Sequence, residues 1–225
     1  MKNEPQSKSK SWNWNAIKDQ EWEEPAREVY PVVNRWKLKG YKKVLDLGCG
    51  VGRHSILLAE NGFDVYACDL SQQGIDRLNK IIDKSKLKIK TEVSDMLDIP
   101  YDLEYFDAVI AFRSIYHTDD EGIKRTINNI NRVLKIGGEA LVTFNSKNSW
   151  SFKNSDNFIS ANSIMKTSGH ESGIPHFYAD KKDIEGLLKN FEIEKFWYTE
   201  EYLPNDIYTA HYFTLIRKIN EFKPE

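Results

Sequence analysis

The sequence predicts an α/β domain built on a largely parallel sheet, and three observations carry that prediction. Strand-like runs alternate with amphipathic helical runs from Lys42 to Phe144, the signature of right-handed β-α-β crossovers. The first of these strands runs straight into glycines at alternate positions, "VLDLGCGVGRHS" over 44–55. The last quarter holds two extended runs with no room for a helix between them, which predicts an antiparallel pair closing one sheet edge.

Taken in order, residues 1–10, "MKNEPQSKSK", read as a disordered tail, since no apolar stretch follows the charged start. Residues 11–40 read as an amino-terminal helical cover, with Trp22, Ala26, Val29 or Tyr30, Val33 and Trp36 at helical spacing and Pro31 expected to kink or split the run. A domain over 41–225 follows. Its first five strands are expected at 42–47, 64–69, 87–93, 106–112 and 139–144. Helices are expected at 53–62, from Ser71 as cap, through Ile123, Ile127, Ile130 and Leu134 up to Gly137-Gly138, and near 181–190. Strands at 191–200 and 210–218 complete a seven-stranded sheet. An Asn- and Ser-rich segment, 145–175, leaves the carboxyl end of the fifth strand. It is too long for a passive connection and stands where open α/β sheets bind ligands, so a lid or specificity insertion is expected.

Composition narrows the function. A formal net charge of −2 supplies no overall field to recruit nucleic acid or anionic membrane, and no apolar run approaches the ~20 residues of a membrane-spanning helix. Cys49 and Cys68 are the only cysteines. Two strand-flanked thiols make no disulfide framework and suit the reducing cytoplasm. The five histidines lack metal-ligand spacing such as H-x-x-x-H, so no metal site is expected.

The glycine turn lets backbone approach a ligand and aims a helix amino end at it. A P-loop is excluded, because Gly52 is followed by Arg53-His54 instead of Lys-Ser/Thr. A dinucleotide-binding G-x-G-x-x-G/A counted from Gly48 and Gly50 would place the bulky Arg53 at its last position. That disfavours a nicotinamide-dependent oxidoreductase. The pattern is instead G-x-G-x-G, with Asp46 two residues before it.

"VLDLGCGVG" resembles the first motif of the class I S-adenosylmethionine-dependent methyltransferases, and the likeness extends roughly from Lys42 to Lys218. "YACDLS" is similar to the family's second motif, "SDMLDIP" to its adenine-side segment, "FDAVIAFRSIYH" to its fourth strand and following loop, and "INRVLKIGGEALVTF" to its fifth-strand region. The resemblance implies a Rossmann-like fold and S-adenosylmethionine as cofactor, leaving as S-adenosylhomocysteine. It also implies cofactor contacts from Asp46, Gly48, Cys49, Gly50, Gly52, Asp69, Leu70, Asp95, Met96 and Phe112. In that scheme Asp69 accepts from both ribose hydroxyls, Asp95 bonds the exocyclic amino group and Met96 lies against the ring. Asp46 bonds the amides of the turn or the cofactor's ammonium group.

Methyl transfer from a sulfonium is an in-line displacement in which positioning supplies much of the rate. Prolines of an Asn/Asp-Pro-Pro-Tyr type are missing from "FRSIYH", and neither cysteine follows a proline. A small-molecule acceptor is therefore expected. The alternatives are a protein side chain or a non-catalytic cofactor-binding subunit. Arg113, Tyr116, Tyr178 and Trp22 are expected at the acceptor pocket, and His117, Tyr116 and His176 are the candidates for catalysis. His117 is either a general base, its ordinary pKa near 6.5 suiting the task, or a packing residue before the helix at Asp119. The tryptophans at 12, 14 and 22 either staple the first helix or cover the cofactor.

Overall fold

A computed structural model describes residues 10–14 and 22–223. The tail expected at 1–10 lies, apart from Lys10, outside them, as does 15–21 of the expected cover. The first helix, α1 (Val29–Leu38), starts two residues before Pro31. Proline is tolerated in a first turn, where its missing N–H has no intrahelical acceptor, so Pro31 sits at the start of this helix instead of kinking a longer one.

The alternating series follows: β1 (Lys43–Leu47), α2 (Arg53–Glu60), β2 (Asp64–Asp69), α3 (Gln72–Ser85), β3 (Ile89–Val93), β4 (Phe106–Ala111), α4 (Asp120–Val133) and β5 (Leu134–Ser146). Ser71 caps α3 by accepting from the Gly74 amide at 3.4 Å, and Asp119 caps α4 through Gly122 at 2.8 Å. Helix α4 passes directly into β5, so Gly137-Gly138 lie within the strand instead of ending the helix. Gly137 takes a positive φ of 81° there, and the β4–β5 register shifts between Phe106 and Ala108.

The carboxyl-terminal strands are long: β8 (Phe191–Tyr202) and β9 (Tyr208–Lys218) pair antiparallel, and β9 pairs antiparallel with β5. Together with the parallel strands they give the expected seven, in the spatial order β3-β2-β1-β4-β5-β9-β8. Two further strands come from the insertion. β6 (Ser163–Met165) and β7 (Pro175–Ala179) form a hairpin, and β7 continues parallel beside the last residues of β5. The insertion also carries a one-turn helix, α5 (Trp150–Lys153), and a 3-10 turn at Gly169–Glu171; α6 (Lys181–Leu187) follows it.

Helices cover both sheet faces. On one, Val33 and Trp36 of α1, Leu58 of α2 and Leu78 of α3 pack on Val44, Val65 and Ile110. On the other, Ile123, Ile127 and Ile130 of α4 and Ile184 of α6 pack on Leu45, Val109 and Val142. Strand β1 pairs with β2 on one side and β4 on the other. The order reverses there, opening a crevice at the strands' carboxyl ends.

One buried ion cluster fastens α1 to the sheet. Glu139 of β5 is fully buried and accepts from the Arg35 guanidinium at 2.7 Å, Lys39 at 2.5 Å and the Trp36 indole at 3.0 Å. Burial pushes its carboxyl up, but Arg35 and Lys39 outweigh that and hold it below its ordinary value. Removing one member of a buried pair costs about 3–5 kcal/mol. Arg35 and Lys39 keep about a third of their side chains exposed, so the cost here should be smaller. Glu139→Ala is expected to lower unfolding stability by about 2–3 kcal/mol, read from urea melts at neutral pH.

Candidate functional site

The turn after β1 is held by the neighbouring strand. The Gly48 and Cys49 amides both donate to the Cys68 carbonyl of β2, at 2.8 and 3.0 Å. The Gly50 amide donates to the Asp69 carboxylate at 2.8 Å. Gly48 has a φ of 73°, and a Cβ there would lie 2.4 Å from Cβ of Ser114. Gly50 has a φ of 56°, and a Cβ there would lie 2.2 Å from the Trp14 ring. Both positions therefore need glycine for conformation and for space.

Asp69 ends β2 facing a cavity lined also by Gly48, Leu70, Asp95, Met96 and His117. Its other oxygen accepts from the Ser71 amide at 2.7 Å. Burial raises its pKa, against the pull of the Ser71 and Gly50 amides. Asp95 lines the cavity while accepting from the Leu97 amide at 2.9 Å, which shapes its own turn. Leu70, Asp95 and Met96 line this one cavity together.

Asp46 behaves differently from the expectation. It is buried beneath the turn, and its carboxylate accepts from the Ser55 hydroxyl of α2 at 2.6 Å. The turn amide expected for Asp46 is taken by Asp69. Burial pushes Asp46 up to about 7, against the Ser55 hydrogen bond. Cys49 and Cys68 are free and buried; burial raises both thiols, that of Cys68 to about 12. Phe112 packs edge-on against His54 at 5.0 Å and beside Phe213 in the core, away from the cavity lining.

The amino-terminal strap roofs the site. Trp12 lines the cavity and meets the His117 ring at 5.2 Å, while Trp14 is buried against Gly50 and Gly74. Trp22 contacts both tryptophans and carries the Arg53 guanidinium 5.2 Å from its ring. His54 accepts from the Ala26 amide at 3.3 Å, fastening the strap to α2. Burial holds its imidazole well below the ordinary value, so it serves as a neutral acceptor.

On the acceptor side the loop after β4 meets the insertion. The Ser114 hydroxyl donates to the Leu47 carbonyl at 2.7 Å, and His117 Nδ1 lies 2.8 Å from the Ser114 carbonyl. A carbonyl only accepts, so Nδ1 carries the proton and Nε2 of the neutral ring presents a lone pair. Tyr116 is buried beside the rings of His117, His176 and His211, and burial raises its hydroxyl pKa. His176 is buried on β7, its imidazole kept neutral by that burial.

Arg113, at a φ of 51°, pairs with Glu201 of β8 at 3.2 Å, and Tyr178 is buried with its hydroxyl 2.9 Å from Ser151. Neither these two nor Trp22 line the cavity. Sequence reading missed Glu171, which lies 3.6 Å from both His117 and His176. It belongs to a Ser- and Gly-rich stretch without periodicity, and only the insertion's folding delivers it. Burial pushes its carboxyl up, but the contact with His117 and the nearby Lys166 ammonium outweigh this and hold it below its ordinary value.

Among the described residues no helix is long and apolar enough to cross a membrane. Residues 44–138 match the family profile described as a methyltransferase domain. The chain is 32% identical over 111 residues to the probable S-adenosyl-L-methionine-dependent methyltransferase TehB of Haemophilus influenzae, covering 49% of this chain and 38% of that protein. It is 30% identical over 130 residues to the ubiquinone biosynthesis O-methyltransferase of Coxiella burnetii, covering 53% of this chain and 55% of the relative. The chain thus spans 38–55% of the length of these curated relatives. The fold matches the crystal structure of a SAM-dependent methyltransferase from Methanosarcina mazei with a TM-score of 0.71, at 22% identity, over 85% of this chain and 99% of that one. Family profile and relatives' names agree that over residues 44–138 the chain is similar to S-adenosylmethionine-dependent methyltransferases, and its fold matches that of a solved one.

Proposed function

We propose that the protein transfers a methyl group from S-adenosylmethionine to a small-molecule acceptor. The observation that carries this reading is the cavity wall itself. The glycine turn, the buried Asp69 carboxylate and the Asp95-Met96 segment line one side of it, and His117 the other. Asp69 spends one hydrogen bond on Gly50 and one on Ser71. A carboxylate accepts about four, so capacity is left for two ribose hydroxyls.

When bound, the cofactor supplies an activated methyl on sulfur. The chain supplies position: Gly48 brings bare backbone to the ligand's amino-acid end, Met96 packs beside the base and Trp12 shields the top. His117, with its proton held on Nδ1 by Ser114, offers Nε2 as a base toward an acceptor hydroxyl or amine. His176 and Tyr116 shape the wall behind it. The names of the two relatives, one an O-methyltransferase of ubiquinone biosynthesis, support a small acceptor.

The test is calorimetric titration of S-adenosylhomocysteine into wild type and Asp69→Ala. Micromolar binding is expected for wild type, with affinity at least about 100-fold weaker in the mutant, since two charge-assisted hydrogen bonds are worth roughly 1.5–3 kcal/mol each. No binding by folded wild type would overturn the reading.

Asp46 adds a pH dependence. Its carboxyl rises from 3.8 to about 7 on folding, so the native state binds a proton more tightly than the unfolded chain does. The stability this gives is fully present below about pH 4 and is lost as pH rises toward 7, levelling above it. Melting temperatures of the ligand-free protein from pH 5 to 8 should fall more steeply in wild type than in Asp46→Asn. Parallel profiles would count against this origin.

A further inference from the structure

Three side chains from three separate elements converge on the acceptor side of the cavity. His117 comes from the loop after β4, Glu171 ends the 3-10 turn of the insertion, and His176 stands on β7. Each presents one ligand atom, and the three atoms lie within 4.8 Å of one another. Both imidazole Nε2 atoms are 3.6 Å from the same oxygen, Oε1 of Glu171. The two rings stand 4.7 Å apart and nearly perpendicular, at 85°.

These separations are too long for hydrogen bonds, and the chain leaves a debt at their centre. His176 is 3% exposed, and its Nε2 has no hydrogen-bond partner. A buried unpaired nitrogen is costly and rare in folded proteins. On His117 the Ser114 carbonyl occupies Nδ1 and turns Nε2 inward. A backbone carbonyl on the far nitrogen is how proteins orient imidazoles toward metals. A central ion bonded at about 2.0–2.2 Å spans ligand atoms roughly 3.3 Å apart in tetrahedral geometry. The two 3.6 Å contacts to Glu171 reach that with shifts of a few tenths of an ångström, and the two imidazole nitrogens, within 4.8 Å of each other, draw together by a rotation of the His117 ring.

We propose that His117, Glu171 and His176 bind one divalent transition-metal ion of the zinc class. Two imidazoles and one carboxylate suit zinc and leave a coordination position open. His117 also lines the cavity beside Gly48, Asp69 and Met96, so the open position faces the methyl donor's side. Resting on the methyl-transfer reading, the ion's ligand there is an acceptor hydroxyl. With its Nε2 lone pair given to the ion, His117 acts as a ligand in place of a base: the hydroxyl loses its proton to solvent, its oxygen forms the bond to the methyl carbon, and the carbon–sulfur bond breaks with its electron pair left on the departing thioether. The acceptor class is accordingly an alcohol, phenol or enol able to bind a Lewis acid as its anion.

The test uses the full chain, stripped with a chelator and dialysed, then titrated with Co²⁺ as a spectroscopic stand-in and with Zn²⁺ by calorimetry. One equivalent of Co²⁺ should bind and give visible ligand-field bands. His117→Ala and Glu171→Gln should each weaken binding at least about tenfold, the scale at which even outer-shell partners matter. Zn²⁺ should raise the melting temperature of wild type by mass action and raise that of Glu171→Gln less at the same concentration. No stoichiometric binding by folded wild type, or binding undiminished in both variants, overturns the site. S-adenosylhomocysteine titrated into the same metal-free sample keeps the two readings apart. Cofactor binding without metal binding sinks only the metal site, and metal binding without cofactor binding sinks only methyl transfer.

Discussion

The end of β2 holds the turn after β1. Two amides of that turn share the Cys68 carbonyl and a third reaches the Asp69 carboxylate, so the register of β1 on β2 fixes where the glycines lie. The pairing Leu47↔Cys68 at the top of both strands sets this height. From the other side Ser114 hooks the loop after β4 to the Leu47 carbonyl. The crevice at the strand-order reversal is thereby shaped by backbone, and side chains enter it only where the backbone has placed them. The same arrangement buries Asp46 close enough to Asp69 that the neighbouring charge adds to the cost of burial in raising its pKa.

The acceptor side is assembled on a different principle. His117 is touched from one side by Trp12 of the strap and from the other by His176 of the insertion. Lys10 of the strap donates to the Ser172 carbonyl of the insertion at 2.7 Å. Strap and insertion thus meet over one histidine, itself oriented by a carbonyl three residues back. Moving either cover moves the surroundings of the same imidazole, which couples access to the site with the environment of its one partly exposed base.

The cofactor half was legible because its determinants are local. Residues 44–55 hold the strand, the turn and the start of α2 in one stretch, and Asp69 ends a strand whose bounds match the expectation. Local periodicity placed α3 and α4, and their caps confirmed the starts. What escaped was nonlocal. Asp46 accepts from Ser55 of α2 and Asp69 takes the Gly50 amide, contacts that spacing along the chain cannot report. Gly137-Gly138 read as a helix stop, yet α4 had already yielded to β5, whose pairing with β4 overrides the local signal. Phe112, Arg113 and Tyr178 sit near pocket residues in sequence but turn into the core or pair with β8. Glu171 had no signal, because the group it joins is assembled from residues 117, 171 and 176, with more than fifty residues between the first two.

That division also explains what similarity can convey. The family match ends at Gly138, before the insertion begins, and so covers the glycine turn, Asp69, the Asp95 segment and His117. Glu171, His176 and the hairpin that carries them lie outside it. A match confined to residues 44–138 argues for a shared donor and says nothing of residues 145–179. Within that stretch β7 is the one strand anchored to the main sheet, through Asn145↔Tyr178 and Ser146↔Ala179. Being fixed there, it delivers His176 to the face of His117 as reproducibly as the sheet itself is built. The anchored edge thereby holds His176, with Glu171 beside it, against His117.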